Sequence, residues 1–476
     1  MRQPLSLRLP LLLVALTACG FPRPPALTDA APPGDDAATG PGDDAVSGRD
    51  AAVGDALIPR VDAQPGTEIR VAGTGDDSND GFTAPVKTLK HAIGLAAANS
   101  QVSSISLASG RYSTAGGETF PYTVPANVLI VGPAGGGAIL AGSNTEPGLI
   151  VGSGTALQDL ELEDFTVAIT ATGETRLSNV HVRTATLALQ VETAAKVTSD
   201  RLDITGTGSA CAKGLVLVGA AQFAATSLAT RNLGITLDAS DESISELSHA
   251  TISGTRACAG EALRVTTSQT FALNDSLVDN GDVGLQMAAR AGRGAPHITL
   301  SNTTIRNMKS NGLSGGDAVT FTMTGGSVSN NGRGGFEGGG GSYVFTSVVM
   351  QDNAVFGIYY AGTTLVSPAL QVLTMRDCTV AGVQIGVYLD DGTFADLGTA
   401  ASHGNNRFRS IQHVGLFLGG STSPRIDAVG NIWRPAVQGA GADGSYPANT
   451  PPVTVPVPTV GNNNYAIARS GISLYL

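Results

Sequence analysis

Short apolar segments, separated by glycine, asparagine and aspartate, run through most of this 476-residue chain. The clearest repeated element is a glycine followed directly, or after a short displacement, by an apolar residue. Successive copies lie 20 to 29 residues apart. They begin at Gly214, Gly234, Gly260, Gly284, Gly312, Gly335, Gly357, Gly386 and Gly415. A repeat of this length indicates a stack of similar units, each covering the core of its neighbour.

A second pattern precedes most of these glycines and reads apolar, any, small or polar, any, any, apolar. Its small or polar position holds Asn179, His249, Asp275, Asn302, Gly325, Ser347 and Asp377. Each repeat therefore contains two or three short strands separated by bends, and the lack of ten-residue helices between them argues against βαβ units. The patterns predict an all-β fold, a single-stranded right-handed parallel β-helix of about 12–14 rungs over residues 67–446.

The two ends of such a solenoid expose strand edges and need covers. Leu89, Ala92, Ile93 and Ala96 follow the spacing of an amphipathic helix. We therefore predict an N-terminal capping helix over residues 88–98, before a first strand at 105–107. At the other end, residues 447–476 form a proline-rich segment and an apolar tail, which we expect to cover the last rung or to pack along a side.

The N-terminus has the pattern of an export signal. Arg2 and Arg8 precede an apolar stretch too short to span a bilayer, and Leu16-Thr17-Ala18-Cys19 ends it. Residues 1–19 resemble the signal peptide and lipobox of bacterial lipoproteins, which implies lipidation of Cys19. An ordinary signal peptide with an incidental cysteine is the alternative. By resemblance to lipoproteins of Gram-negative bacteria, Gly20 stands where an Asp commonly marks inner-membrane retention. We therefore expect export to the outer membrane, on its periplasmic face or at the cell surface.

Composition narrows the remaining possibilities. Residues 20–66 are dominated by Ala, Pro, Asp and Gly without apolar periodicity, and we expect a disordered tether. The chain has 62 glycines, only 14% charged residues and a net charge of −11. These values disfavour helical bundles and coiled coils, and they argue against a nucleic-acid partner. The expected partners are the membrane, through the lipid anchor, and a polysaccharide or surface protein, with the chain itself a monomer.

An ordered series of residues near the start of the predicted solenoid resembles a known family. The series consists of Gly75-Asp76-Asp77-Ser78-Asn79-Asp80-Gly81, Pro85, Thr88, Leu89, Ala92, Gly110-Arg111-Tyr112, Glu118-Thr119-Phe120-Pro121 and Ile130-Val131-Gly132, with Gly430-Asn431-Ile432-Trp433 near the end. It is similar to the bacterial domain of unknown function 1565, within the pectin-lyase-like superfamily of right-handed β-helices. The resemblance covers residues 67–140 well and implies the fold and a cell-surface setting. It transfers no catalytic residue.

One loop has the spacing of a calcium site. Asp76, Ser78 and Asp80 place oxygen atoms at the first, third and fifth positions, with Gly81 at the sixth, as in an EF-hand loop. The twelfth position is Lys87 rather than Glu, so the loop is incomplete. The alternative is an Asx-rich turn that leads into the capping helix.

Three cysteines lie in the predicted solenoid. Cys211 and Cys258 have the same neighbours, Ala on either side, and each precedes a repeat glycine. They are two rungs apart, but the rung between them is the shortest, so two loops could meet over it. A Cys211–Cys258 disulfide is therefore a candidate in an exported protein, which leaves Cys378 as a buried thiol.

The residue that follows each inward-facing apolar position should point outward. The resulting exterior column is Val216, Thr236, Gln286, Ser314, Glu337, Tyr359, Tyr388 and Phe417. Its last three members are aromatic and should lie about 5 Å apart. They form a candidate surface for stacking against sugar rings or a partner, and cover by the proline-rich tail is the alternative.

These observations favour a non-enzymatic surface lipoprotein whose solenoid binds carbohydrate or a protein partner. The alternative is a carbohydrate-active enzyme, either a polysaccharide lyase or a glycoside hydrolase. No cluster of acidic, basic or histidine residues in the sequence identifies a catalytic centre, and Ca²⁺ is the only cofactor that any motif suggests.

Overall fold

The chain folds into short strands that stack turn upon turn. The structure is a computed structural model, and it describes residues 67–208, 211–290, 292, 294–362, 372–390, 393–412, 414–418, 425–433, 453–454, 464–468 and 473–475. The predicted signal peptide with Cys19 and the predicted tether lie outside the described residues. The described part of the chain contains no helix with the length and hydropathy of a membrane span.

The strands are short because each ends after two to twelve residues. The N-terminal turns contain β1 (Glu68–Val71), α1 (Leu89–Ala98), β2 (Ser104–Leu107), β3 (Gly110–Ser113), the 3₁₀ helix η1 (Thr114–Gly116), β4 (Tyr122–Val124), β5 (Leu129–Val131), β6 (Ala138–Ala141), β7 (Leu149–Val151), β8 (Thr155–Glu163), β9 (Val167–Ala171), β10 (Glu174–Arg183), β11 (Leu187–Val191), β12 (Lys196–Thr205), β13 (Lys213–Leu217), β14 (Gln222–Leu233) and β15 (Ile235–Asp241).

The later turns continue the same order of elements. They contain β16 (Ile244–Ser248), β17 (Thr251–Gly254), β18 (Glu261–Thr267), β19 (Thr270–Asn274), β20 (Leu277–Asp279), β21 (Val283–Met287), β22 (His297–Ser301), β23 (Thr304–Arg306), β24 (Leu313–Gly315), β25 (Thr320–Thr324), β26 (Ser327–Ser329), β27 (Gly334–Gly339), β28 (Ser342–Thr346), β29 (Val349–Gln351) and β30 (Phe356–Ala361). The last strands are β31 (Val372–Arg376), β32 (Thr379–Ala381), β33 (Ile385–Asp390), β34 (Phe394–Asp396), β35 (Arg407–Arg409), β36 (Val414–Leu418), β37 (Arg425–Asp427), β38 (Ile432–Trp433), β39 (Val453–Thr454), β40 (Asn464–Ala468) and β41 (Ser473–Tyr475).

These strands form two continuous sheets that wrap the solenoid. Sheet B has 14 strands and contains β4, β7, β9, β11, β13, β15, β18, β21, β24, β27, β30, β33, β36 and β40. Sheet A contains the other 27 strands. Neighbouring strands are parallel, and among the described pairs the exception is β39 with β41. The prediction of an all-β parallel solenoid is therefore confirmed, with about 12 turns.

The interior is built from columns of residues in register, one from each turn. One column of sheet A runs from Ile69 through Ile105, Ile130, Leu157, Leu177, Ser199, Ala225, Leu247, Leu273, Leu300, Met323 and Phe345 to Met375. Apart from Ser199, every member is apolar, and all are buried. Stacking thus supplies the core that a single turn cannot build.

The polar pattern found in the sequence marks a bend of the backbone in the left-handed region. Its small or polar residues have φ angles between 47° and 67°, at Asn179, His249, Asp275, Asn302, Gly325, Ser347 and Asp377. Asn and Asp tolerate this conformation better than most residues do. Their side chains also join successive turns, since the Asn302 amide donates to Asp275 at 3.1 Å and the Asn405 amide donates to Asp377 at 3.1 Å.

Register in sheet B corrects one member of the predicted exterior column. Val216 pairs with Asp238, so the column passes through Asp238 and not through Thr236. Thr236 is only 1% exposed, and its hydroxyl lies 3.1 Å from that of Thr230. The repeat misplaced this position because Gly234 stands two residues before the site that corresponds to Gly214 and Gly284.

The C-terminal strands extend both sheets. β40 pairs in parallel with β36 in sheet B, and β41 pairs in parallel with β37 in sheet A. These strands therefore stack on the end of the solenoid. The rest of the predicted tail, residues 447–452, 455–463, 469–472 and 476, lies outside the described residues, as do residues 434–446 of the predicted solenoid.

Candidate functional site

The residues that resemble the family build the N-terminal cap. Helix α1 begins after Thr88, whose hydroxyl accepts a hydrogen bond from the His91 N–H at 3.2 Å. The Asp77 carboxylate accepts from the Lys87 and Thr88 N–H groups, each at 2.8 Å, and from the Thr88 hydroxyl at 2.8 Å. Leu89, with Ala92, Ile93 and Ala96, is buried against the first turns as predicted.

Glu118 supplies a second carboxylate to the start of the same helix. It is 3% exposed and accepts hydrogen bonds from the Leu89 N–H at 2.8 Å and the Lys90 N–H at 3.1 Å. The Tyr122 hydroxyl also donates to it. Burial, followed by the nearby Glu118 carboxylate, raises the pKa of Tyr112 to about 12. These contacts use the free N–H groups at the helix start, so this part of the family pattern has a structural role.

The candidate calcium loop folds as a turn. Asp76 accepts from the Ser78 N–H at 2.9 Å. Asp80 accepts from the Phe82 and Thr83 N–H groups and from the Thr83 hydroxyl, at 2.8–3.0 Å. Within the described ranges, no group of three or more His, Cys, Asp or Glu residues could hold a metal ion. The calcium site of Asp76, Ser78 and Asp80 stays a prediction.

The Asp77 network predicts a pH dependence of stability. Partial burial acts to raise the pKa of Asp77, but the hydrogen bonds from Thr88 and Lys87 outweigh it and hold this pKa below its usual range. A lowered folded-state pKa stabilises the fold above the unfolded value of about 3.9 and loses that effect as the pH falls through the folded-state value. We expect D77N to lower the unfolding free energy by about 1 kcal/mol at pH 7, with a smaller difference in acid.

Urea unfolding of wild type and D77N at neutral and acidic pH measures this difference. D200N is the control, because Asp200 is exposed and lies 3.7 Å from Arg201 in a surface ion pair. A D77N deficit that is unchanged in acid would contradict the assignment of the effect to the charge.

The structure joins Cys211 and Cys258 in a disulfide, with Cα atoms 5.5 Å apart. Cys211 precedes β13 and Cys258 precedes β18, so the bond crosses the turn that contains β15. Gly234 lies under the crossing, where an added Cβ would be 3.1 Å from the Cys211 Cβ. Cys378 is a buried free thiol, and burial raises its pKa to about 11.

Three aromatic side chains lie in register on the exterior of sheet B. Tyr359 pairs with Tyr388, and Tyr388 pairs with Phe417. Their ring centroids are 4.9 Å and 4.5 Å apart, close to the predicted spacing, and all three are half-buried. The rings pack edge to face, at 88° and 73°, which is a favourable arrangement for aromatic pairs. We call these three residues the aromatic strip.

Polar groups border the aromatic strip. The Tyr359 hydroxyl lies 3.4 Å from an Asp390 carboxylate oxygen. Burial, followed by the charge of Asp390, raises the pKa of Tyr359 to about 12. One turn before Tyr359, Glu337 accepts from the Asn311 amide at 2.6 Å and pairs with Arg333 at 2.7 Å.

Sequence reasoning placed Glu337 in the exterior column before Tyr359, but it did not identify Asp390 or Arg333 as neighbours of the aromatic strip. Asp390 could have been found, because it follows Tyr388 by two residues on the same strand and therefore shares its face. Arg333 could not have been found from the sequence, because a loop and not a strand sets its position. Its guanidinium carbon lies 5.7 Å from the ring centre of Phe356, a residue that is 4% exposed.

Two open polar grooves lie on sheet A. One, of about 500 Å³, is lined by residues that include His249, Asp275, Asn302 and Arg306. The other, also of about 500 Å³, is lined by residues that include Asp377 and Asn405. Both grooves lie at the left-handed bend that recurs from turn to turn, so their shape follows from the fold.

This chain is similar to several solved structures at low sequence identity. No curated protein matches it. Among solved structures it is similar to the A-module of a mannuronan C-5 epimerase from Azotobacter vinelandii, with 14% identity, a TM-score of 0.47, and coverage of 70% of this chain and 92% of that module. It is also similar to the catalytic domain of a GH87 α-1,3-glucanase, with 11% identity, a TM-score of 0.42, and coverage of 81% and 67%. Pectate lyase Pel9A follows, with 13% identity, a TM-score of 0.37, and coverage of 71% and 80%.

These likenesses are too distant to assign an activity. The sequence profile of the family described as "Protein of unknown function (DUF1565)" matches residues 73–437. This match confirms the resemblance of the N-terminal motif residues and extends it through the solenoid. Because it spans well over half of the chain, the protein belongs to the DUF1565 family.

Proposed function

We propose that this protein is an exported, lipid-anchored β-solenoid that binds polysaccharide on its aromatic strip. The proposal depends on one observation, the register of Tyr359, Tyr388 and Phe417 on the outside of three successive turns. Aromatic rings combine a large apolar surface with low conformational freedom, and tyrosine adds a polar tip. A pyranose ring has the complementary form, with apolar C–H faces and hydroxyl groups at its edge.

The position of these rings distinguishes them from five large aromatic side chains in nearby turns. Phe321, Phe336, Tyr343, Phe345 and Tyr360 are fully buried. The aromatic strip instead lies on the outer surface beside carboxylates and is half-buried. Contiguous apolar groups on a surface, bordered by polar residues, often mark a binding site.

Removal of a central ring should weaken polysaccharide binding. We expect Y388A to lower the affinity for a bound polymer about tenfold or more, which corresponds to about 1.4 kcal/mol. Y388F should retain most of the affinity, because it keeps the ring. Affinity electrophoresis against neutral and uronate-rich polysaccharides measures retention, and the same incubations are assayed for new reducing or unsaturated ends, which the enzyme alternative requires.

Q286A provides the control, since Gln286 occupies the same exterior column of sheet B in an earlier turn. Melting temperatures distinguish a role of Tyr388 in polymer binding from a role in packing against the chain's own tail. Unchanged retention in Y388A, together with a large drop in its melting temperature, would count against the binding site.

The lipid anchor is the second part of the proposal. It is supported by the order of positive charge, apolar stretch, small residues and Cys19 in the sequence. Two or three acyl chains hold a protein stably on a membrane. Expression of C19A in a Gram-negative host should move the protein from the membrane fraction to the soluble fraction, with the processed N-terminus read by mass spectrometry. Equal membrane association of wild type and C19A would contradict lipidation.

A further inference from the structure

The charges around the aromatic strip indicate which polysaccharides it can accept. Asp390 lies beside Tyr359, and Glu337 occupies the position in register with Tyr359 one turn earlier. Asp317 lies near the same edge, since its carboxylate would be 3.9 Å from a Cβ added at Gly339. Three carboxylates therefore border this part of sheet B.

Positive charge is scarce on the same surface. Within the described residues of β27, β30, β33 and β36 and the residue that precedes β27, the one cation is Arg333. It pairs with Glu337 at 2.7 Å and lies over the Phe356 ring. A carboxylate of a bound polymer would thus approach several fixed negative charges without an unpaired positive partner, which costs affinity.

The same carboxylates suit hydroxyl groups. An ionised carboxylate only accepts hydrogen bonds and has about four lone-pair sites. Asp390 and Glu337 can therefore accept from the hydroxyls of a sugar whose apolar face packs on the rings. The ring centroids of the aromatic strip are 4.9 Å and 4.5 Å apart along the axis of the solenoid. This spacing is close to the length of one pyranose unit in an extended chain.

We infer that the aromatic strip binds neutral polysaccharide, laid along the solenoid axis, and discriminates against polymers of uronic acids. This inference rests on the proposed function and specifies its ligand class. The competing occupants of the aromatic strip are the tail of the chain, a polyuronate and a cationic polymer. Each gives a different result in the test.

The test compares polymers that share a backbone and differ in charge. The full-length protein in detergent is run through gels that contain hydroxyethyl cellulose or carboxymethyl cellulose, with laminarin, galactomannan, polygalacturonate, alginate and chitosan in parallel gels. We expect retention by at least one neutral polymer, at least tenfold stronger than by any uronate or carboxylated polymer. Lower salt should widen this ratio, because screening of the carboxylates decreases.

Variants test whether the carboxylates beside the aromatic strip cause the discrimination between neutral and carboxylated polymers. The double variant E337Q/D390N should reduce the ratio of neutral-polymer to uronate retention by at least threefold. E261Q changes a carboxylate at the start of β18 in sheet B, three turns before Glu337, and should leave this ratio unchanged. Y388A should weaken the retention of the neutral polymer about tenfold or more. The salt dependence of the wild type supplies an independent readout if the double variant folds poorly.

Different failures have different meanings. Equal or stronger retention by a uronate, lost in Y388A, would overturn the inference while the proposed function stands. Retention by chitosan alone that disappears in salt would also overturn it. No retention by any polymer, or retention unaffected by Y388A, would overturn the proposed function and the inference together.

Discussion

Replacing Glu118 with alanine is expected to lower the free energy of unfolding by about 3 kcal/mol. The Glu118 carboxylate accepts from the Leu89 and Lys90 N–H groups and from the Tyr122 hydroxyl. It is nearly inaccessible to water, so the alanine variant leaves these donors unpaired in a buried site. Helix α1 should fray at its start, and the first turn of the solenoid should lose part of its cover.

Urea unfolding followed by far-ultraviolet circular dichroism measures this effect. E118Q keeps an acceptor for the Leu89 N–H and should lose only about 1 kcal/mol. E174A is the control, because Glu174 is an exposed first residue of β10. An E118A variant as stable as E174A would show that the contacts of Glu118 do not hold the cap in place.

This prediction also bears on how the family motif is interpreted. Asp77, Thr88, Tyr112 and Glu118 all belong to the motif residues that resemble the family, and each has a hydrogen-bonding role in the cap. Their presence in a sequence therefore indicates a capped solenoid.

Features that depend on local backbone preference could be predicted from the sequence. The apolar spacing of Leu89 to Ala96 is sufficient to identify α1, and Thr88 is a favourable N-cap. The polar pattern around Asn179 and Asp275 located the left-handed bends, because few residue types tolerate that conformation. The spacing of Tyr359, Tyr388 and Phe417 followed from the short repeat between parallel strands.

Features that depend on register between turns were harder to predict. Gly234 resembles a repeat glycine, yet it lies against Cys211, and the exterior column passes through Asp238. A shift of two residues preserves the alternation of inward and outward positions, so the apolar pattern cannot detect it. Arg333 presents a similar difficulty, because a loop rather than a strand brings it to Phe356.

The second large effect is expected at Gly326, where the backbone has no room for a side chain. Its φ angle is +78°, and an added Cβ would lie 2.1 Å from the Thr303 carbonyl oxygen and 2.6 Å from the Thr303 nitrogen. G326A combines the strain of a left-handed conformation with a clash against the neighbouring turn. We expect a loss of about 3 kcal/mol or more in unfolding free energy.

Replacing Gly94 with alanine should change the free energy of unfolding in the opposite direction. Gly94 lies in α1, is exposed, and an added Cβ there would have no atom within 4 Å. G94A should raise the unfolding free energy by about 0.5–1 kcal/mol, because alanine loses less backbone freedom than glycine in a helix. Urea unfolding of both variants under one set of conditions compares them directly. If G326A were as stable as wild type, the neighbouring turns would have to move apart at Thr303 without a cost in free energy. That result would contradict the tight stacking of turns at this bend.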